Sequence, residues 1–333
     1  MSSNKKLTLL LIIFALLPIS QIPCQETSFP EKTYTFYAEP KTGLSYRILG
    51  EHLYSKPKLQ NQRSYLEWQQ PALFSTGLEL GFFWNKIQTS ASFNYYFPLT
   101  YGYMHDLDWA GDIQTNYGFF RNTALQNYDV SLQISYSFNL PKQFTLSPLV
   151  EISYSYDSFS ADQGIGYYGD HEHSKTGYNV SWDSEDAKKY KLSGITYFRQ
   201  ALYTYIGLQT SCTINNWQFN LSLATTPYSQ FYSEDFHSDE KEDNNDMRYY
   251  MLILNRNFFG VYKGEISCTY IFSNRLSLSG SLFAAICPPL LGETASASYW
   301  NEHDTELMYS YMGKFSGASL KNLAFTLGVK IQY

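Results

Sequence analysis

Two short stretches of the chain carry residues that could do chemistry. Asp106 and Asp108 stand two apart in Tyr103-Met104-His105-Asp106-Leu107-Asp108-Trp109, at the end of a run that alternates apolar and polar residues. Residues i and i+2 of a β-strand share a face, so the two carboxylates project together, about 7 Å apart. Far down the chain, Asp235 and His237 stand in the same relation in Tyr232-Ser233-Glu234-Asp235-Phe236-His237. A neutral His backed by an Asp is a general base: the carboxylate fixes the tautomer and supports the imidazolium. Two close carboxylates share a proton, which makes one an acid at neutral pH. Together the four groups suit the activation of a water molecule. No Gly-x-Ser-x-Gly elbow is present, and a water mechanism needs no Ser or Cys nucleophile.

These pairs need elements that hold them opposite each other. Ile87 to Tyr95 and Asp129 to Phe138 alternate strictly between apolar and polar residues, as do Trp217 to Leu223, Leu276 to Ile286 and Phe325 to Tyr333. With strands at Gly43 to Tyr54, Gln62 to Trp84, up to Tyr156, from Gly194 and over Met247 to Phe272, the count is ten. Four connections read as short turns, at 84–86, 140–143, 214–216 and 273–275. Five read as long, among them residues 109–122, 157–193, 238–246 and 287–320. Backbone groups in lipid must all be paired, so alternating strands of this kind must close into a barrel. The expectation is an all-β fold: a ten-stranded antiparallel transmembrane β-barrel with long extracellular loops and short periplasmic turns. Both chemical pairs then fall at the outer rim.

Composition agrees. Of the 333 residues 18% are aromatic, with 31 Tyr and 23 Phe, and only 16% are charged. Ordinary soluble domains carry roughly 25% charged residues, whereas membrane barrels carry aromatic girdles at both interfaces. The net charge of −6 and the lack of a basic stripe exclude nucleic acid as a partner. Lys5 and Lys6 before the apolar run Leu7 to Leu17 read as a secretory signal over residues 1–24, cleaved between Ser20 and Gln25. Pro23 is a poor fit to lipidation of Cys24. An extended lead-in is expected over 25–42 and the barrel domain over 43–333. After cleavage three Cys remain, with spacings that suit neither a disulfide framework nor a metal site.

At this point the chain resembles the omptins, a family of outer-membrane endoproteases. Asp106-Leu107-Asp108-Trp109 matches their Asp-x-Asp-Trp motif after strand three, and Asp235-Phe236-His237 their Asp-x-His motif at the end of strand seven. Tyr205-Ile206-Gly207-Leu208 matches a run before the second motif. Glu51-His52-Leu53-Tyr54, followed by Leu66-Glu67-Trp68, resembles the family's substrate-pocket segment. The resemblance implies an aspartyl-type endopeptidase in the outer membrane with its active site facing outward. In it Asp106 and His237 flank the attacking water, Asp235 orients His237, Asp108 supports Asp106 and Glu51 binds the substrate. It implies extracellular peptides or proteins as substrates, outer-membrane lipids as surroundings and a monomer as the working form.

Two departures matter. Omptins that cut between basic residues carry a second acid two positions before the Asp of Asp-x-His, and here that position is Ser233. Any preference for Arg or Lys then rests on Glu51 alone. The family also depends on lipopolysaccharide held by exterior Arg and Lys. The matching places here are Tyr154 and Tyr156, and Gln200 with Arg199 shifted by one, so weak or absent dependence is expected and no other cofactor.

Singly, either pair is ordinary for a solvated rim; their joint placement on the right strands points to catalysis. Asp170-His171-Glu172-His173 has metal-binding residue types but lies in a polar stretch that reads as solvated. A different class of function on the same barrel is a non-catalytic adhesin or small pore. An adhesin would tolerate loss of either acid pair, and a ten-stranded lumen is narrow enough to be filled by side chains.

Overall fold

Strand alternation sorts this chain into an apolar outer face and a polar inner one. The computed structural model describes residues 34–56, 60–192, 194–239, 247–257, 260–299 and 308–333. It describes the backbone alone at 55, 56, 60, 142, 237–239, 247–257, 291, 293–299, 308–312, 314 and 315. The strands are β1 (Tyr34–Lys56), β2 (Gln60–Trp84), β3 (Ile87–Pro98), β4 (Gly102–Ala110), β5 (Ile113–Tyr136), a short β6 (Phe138–Leu140), β7 (Phe144–Tyr168), a short β8 (Lys188–Leu192) and β9 (Ile195–Ile214). They continue with β10 (Trp217–Asp239), β11 (Met247–Asn257), β12 (Tyr262–Ser273), β13 (Leu276–Tyr299) and β14 (Met308–Gln332). The pairings described are all antiparallel. β3 and β4 lie in line between β2 and β5, and β11 and β12 in line between β10 and β13. With β1 paired to β14 and β5 to β7, the sheet closes into a ring of ten places.

Leu44, Leu80, Leu132, Ile152, Leu208, Leu223, Leu282 and Phe325 are among the exposed side chains of the outer face. They form a band of the kind that meets lipid, ending on β1 at Tyr46. Aromatic rings border it. Trp217, Tyr270 and Phe272 cluster at the turn end, and Tyr128, Tyr156, Phe198 and Tyr232 form a chain of rings at the other. Part of the Tyr and Phe excess therefore does interfacial work.

Opposite charges plug the lumen inside the band. Arg47 binds Asp157 and, at 3.0 Å, Asp129, with its guanidinium 4.5 Å above the Tyr96 ring. Lys41 meets Glu79 and Lys263 meets Glu151 at 2.5 Å each, and Lys330 meets Glu39 at 3.3 Å. A polar cavity of about 230 Å³ is left among them. Side chains thus fill the lumen rather than lining an open channel.

The strands run longer than the sequence suggests. A tilted strand crosses the hydrocarbon core in roughly 9–11 residues, yet β2, β7 and β14 have 25 each. Residues 34–42 belong to β1 and are no lead-in. Residues 113–122 belong to β5, 157–168 to β7, and 287–299 and 308–320 to β13 and β14, where loops are expected. Beyond the lipid band the outer face meets water and the inner face meets packed aromatics. The apolar-out, polar-in alternation that marks a strand in the sequence is lost there. Residues 1–33, where the signal segment is expected, lie outside the described residues, as do 240–246.

Candidate active site

A septum closes the lumen above the charged plug. Trp68 of β2 stacks at 5.1 Å on Tyr197 of β9 and at 5.6 Å on Phe159 of β7, so rings from opposite walls meet. Met104, Phe120, Leu49 and Phe231 fill the space around them and are almost wholly buried. The residues proposed for chemistry stand just above this layer.

Register fixes where they stand. Leu66 on β2 pairs with Glu51 on β1 and with Asp106 on β4, and Asp106 pairs in turn with Gly118 on β5. Directly paired residues share a face. Leu66 is buried, so Glu51 and Asp106 both face inward, roughly 10 Å apart at two strand spacings. Asp108, one step nearer the rim, pairs with Ser64 and Asn116. A Cβ on Gly118 would fall 3.2 Å from that of Asp106, so glycine leaves room beside this carboxylate. A two-residue turn at Gly111-Asp112, with Gly111 at φ +64°, joins β4 to β5 where a long loop is expected. The pair is therefore held by a tight hairpin.

Asp235 on β10 pairs with Tyr197 and is 1% exposed. His237 is two residues on, at the register of Ile195 and Tyr249; its side chain lies outside the described residues. The end of β10 and the β4–β5 hairpin lie at the same end of the barrel, opposite the turn between β9 and β10. Glu51 is electrostatically linked to Asp235: burial first and the Asp235 charge second push its carboxyl well above the usual carboxylate range, with Arg199 pulling it back. The fold thus gathers Glu51, Asp106, Asp108 and Asp235 on the inner face at one mouth.

Three participants are not evident from the sequence. Arg199 turns inward and is 1% exposed. It donates to the carbonyl of Ser319 at 2.8 Å and lies 4.7 Å from the centre of the Phe231 ring. Tyr197 and Trp68 form the floor. The signal was present in the register: Tyr197, Arg199, Ala201, Tyr203 and Tyr205 share one parity, while Leu202, Ile206 and Leu208 occupy the lipid-facing one.

On the loop after β7, His173 Nδ1 lies 2.8 Å from Asp170 Oδ1, which also accepts the backbone N–H groups of Glu172 and His173. Hydrogen bonds from His173 and Asn116 pull the Asp170 carboxyl below its ordinary value, against the opposing effect of burial. Among the described residues no group of three or more His, Cys, Asp or Glu is arranged to hold a metal. Asp170 and His173 close a turn.

His52 sits at the same mouth, with Nε2 3.0 Å from Ser319 Oγ and its ring 4.4 Å from that of Tyr65. Burial lowers its pKa from 6.5 to about 4. The folded state then binds fewer protons than the unfolded chain between those values, so this contribution is present above pH 6.5 and lost as pH falls toward 4. It amounts to about 3 kcal/mol. Thermal unfolding in detergent should shift to lower temperature across that window, and His52→Gln should flatten the shift. An unchanged pH profile in the variant would contradict the assignment.

No family model and no curated protein matches the chain. Among solved structures it is similar to the outer membrane protease OmpT from Escherichia coli, with a TM-score of 0.73 and 17% identity over 90% of this chain and 97% of that one. Neisserial surface protein A matches at a TM-score of 0.30 with 8% identity, covering 90% of this chain and 97% of its own. The translocator domain of NalP from Neisseria meningitidis matches at 0.34 with 8% identity, covering 99% and 95%. Those two scores carry no weight, and the first likeness establishes the fold: this chain has the ten-stranded barrel architecture of an outer-membrane protease.

Proposed function

We propose that the chain is an outer-membrane endopeptidase that hydrolyses peptide bonds of extracellular peptides or proteins with an activated water. The observation that carries this reading is the gathering of Asp106, Asp108, Asp235 and Glu51 at one mouth, above a lumen closed by the Trp68 septum. The solved structure of similar fold is itself an outer membrane protease, which supports the same reading. In this account His237, oriented by Asp235, takes the proton of the water. Asp106 holds that water from the other wall, and Asp108 supports it by sharing a proton that can pass to the leaving amine. Glu51 lies in the pocket for the side chain next to the scissile bond. The mouth faces the cell exterior and the four short turns face the periplasm.

Fluorogenic peptides of varied sequence, incubated with the refolded chain, test this. Cleavage that is lost in Asp235→Asn supports it; no cleavage of any peptide contradicts it. The same assay with and without lipopolysaccharide should give equal rates within about twofold. Tyr154, Tyr156 and Gln200 stand on the exterior where cations would be needed, and Arg199 points into the lumen. Activation of tenfold or more would refute that part.

A further inference from the structure

Asn116 stands directly beside Asp108 in the β4–β5 ladder. Paired residues share a face, so both point into the mouth with Cβ atoms about 5 Å apart. The two polar atoms of the Asn116 amide are used differently. Its nitrogen donates to the Asp170 carboxylate. Its Oδ1 is buried and has no hydrogen-bond partner among the described residues. A buried acceptor left this way destabilises the site unless a donor reaches it. Hydrogen bonding fixes this orientation, because an oxygen turned to Asp170 would face a carboxylate, which only accepts. Asp170 is itself held. Its Oδ1 accepts the backbone N–H groups of Glu172 and His173 at 3.0 and 3.1 Å, and His173 Nδ1 lies 2.8 Å from it. The His173 ring packs against Tyr168 and Tyr190 at 5.4 and 5.6 Å. The loop is fastened next to Asn116, where the Gly169 N–H donates to the Thr115 carbonyl at 2.8 Å.

We propose that Asn116, oriented by Asp170 and His173, is a positioning residue that keeps the shared proton on Asp108. The Asp108 O–H donates to Asn116 Oδ1, and Asp106 is left as the anion that holds the water. This rests on the endopeptidase reading above. A hydrogen bond to the neutral form of a carboxyl group raises its proton affinity. By register, the titratable groups facing Asp108 are Asp106 on its own strand, Glu51 on β1, Tyr168 on β7, Asp170 and His173 on the loop, Lys188 on β8, and Asp235 and His237 across the mouth. The adjacent ones are acids, which disfavour a second negative charge at Asp108. Lys188 stands three strand spacings away, roughly 14 Å, and is exposed, so solvent screens it. In the reaction the Asp108 proton passes to the leaving amine and His237 holds the proton taken from the water. His237 then releases that proton and Asp108 regains one, which closes the cycle.

The test has two arms, both on the full chain in detergent. In the first, steady-state kinetics on one fluorogenic peptide compare Asn116→Leu, Asp108→Asn and the double variant. Asn116→Leu should lower kcat about tenfold and leave KM within about threefold. Added to Asp108→Asn it should change kcat by less than about twofold, because the amide acts only through the Asp108 proton. Asp170→Ala, a change confined to the loop, should lower kcat in the same way. His171→Ala, at an exposed residue of the same turn, should leave it unaltered. In the second arm, infrared difference spectra are taken at about pH 6, about two units above an ordinary Asp. The C=O stretch of a protonated carboxyl group should be present in the unaltered chain, vanish in Asp108→Asn, and weaken or move in Asn116→Leu. That band in a chain that cleaves no peptide would sustain the place of the proton and overturn the peptidase. Absence of the band, or an unchanged band in Asn116→Leu, would overturn the proposal. So would an unchanged kcat in Asn116→Leu, losses that multiply in the double variant, or an equal loss in His171→Ala and Asp170→Ala.

Discussion

Asp106→Asn is expected to lower kcat for peptide hydrolysis by about 10³-fold and to leave KM within about threefold, since positioned acid–base groups are worth about 10²–10⁴ each. The substitution keeps the shape of the side chain and removes its charge. Asp106 is half-buried on the inner face between Leu66 and Gly118, so Asn fits the same space. A neutral amide holds the water less firmly and cannot match the charge that develops as His237 becomes protonated. The loss falls on the chemical step because Glu51 and Arg199 lie elsewhere around the mouth. Asp108→Asn should cost less, about tenfold to a hundredfold, because it acts through Asp106. Steady-state kinetics on one peptide check both values. A kcat for Asp106→Asn within threefold of the unaltered chain would show that this carboxylate plays no part.

Arg47→Met should cost the barrel about 3–5 kcal/mol, the usual effect of removing one partner from a buried ionic cluster. Asp157, only 2% exposed, and Asp129 both bind the Arg47 guanidinium. With Met in its place, Asp157 and Asp129 both lose the guanidinium they bind. The Tyr96 ring, now beneath that cation, also loses its partner. Denaturant unfolding in micelles should show the loss. Adding Asp157→Leu to Arg47→Met should recover much of it, because removing both members of a buried pair is far less harmful than removing one. No change in midpoint for Arg47→Met would mean that the plug contributes little to the barrel.

Within the lipid band the sequence reports the fold well, because lipid outside and charges inside force the alternation seen from Asp129 to Phe138 and from Phe325 to Tyr333. Above the band that constraint ends. Phe119 and Phe120 of β5 face opposite sides of the wall yet are both apolar, and the stretch reads as a loop. The same effect hides the upper parts of β7, β13 and β14. The chemical residues were legible because Asp106 with Asp108, and Asp235 with His237, keep the spacing of two that puts side chains on one face. Glu51 was legible only through resemblance. Arg199 stands one position from the exposed Gln200, and one position in a strand reverses the face. Its charge alone would place it outside; its parity with Tyr197, Ala201 and Tyr203 places it within, where it meets the Phe231 ring.

The account depends on two walls of the barrel acting on one water molecule. The direct measurement is a kinetic cycle with Asp106→Asn, His237→Gln and the double variant on one peptide. If the residues act as a unit, each single change should cost about 10³-fold in kcat and the double variant should fall little further. Multiplied losses in the double variant, or a His237→Gln chain that still cleaves at the unaltered rate, would contradict the account.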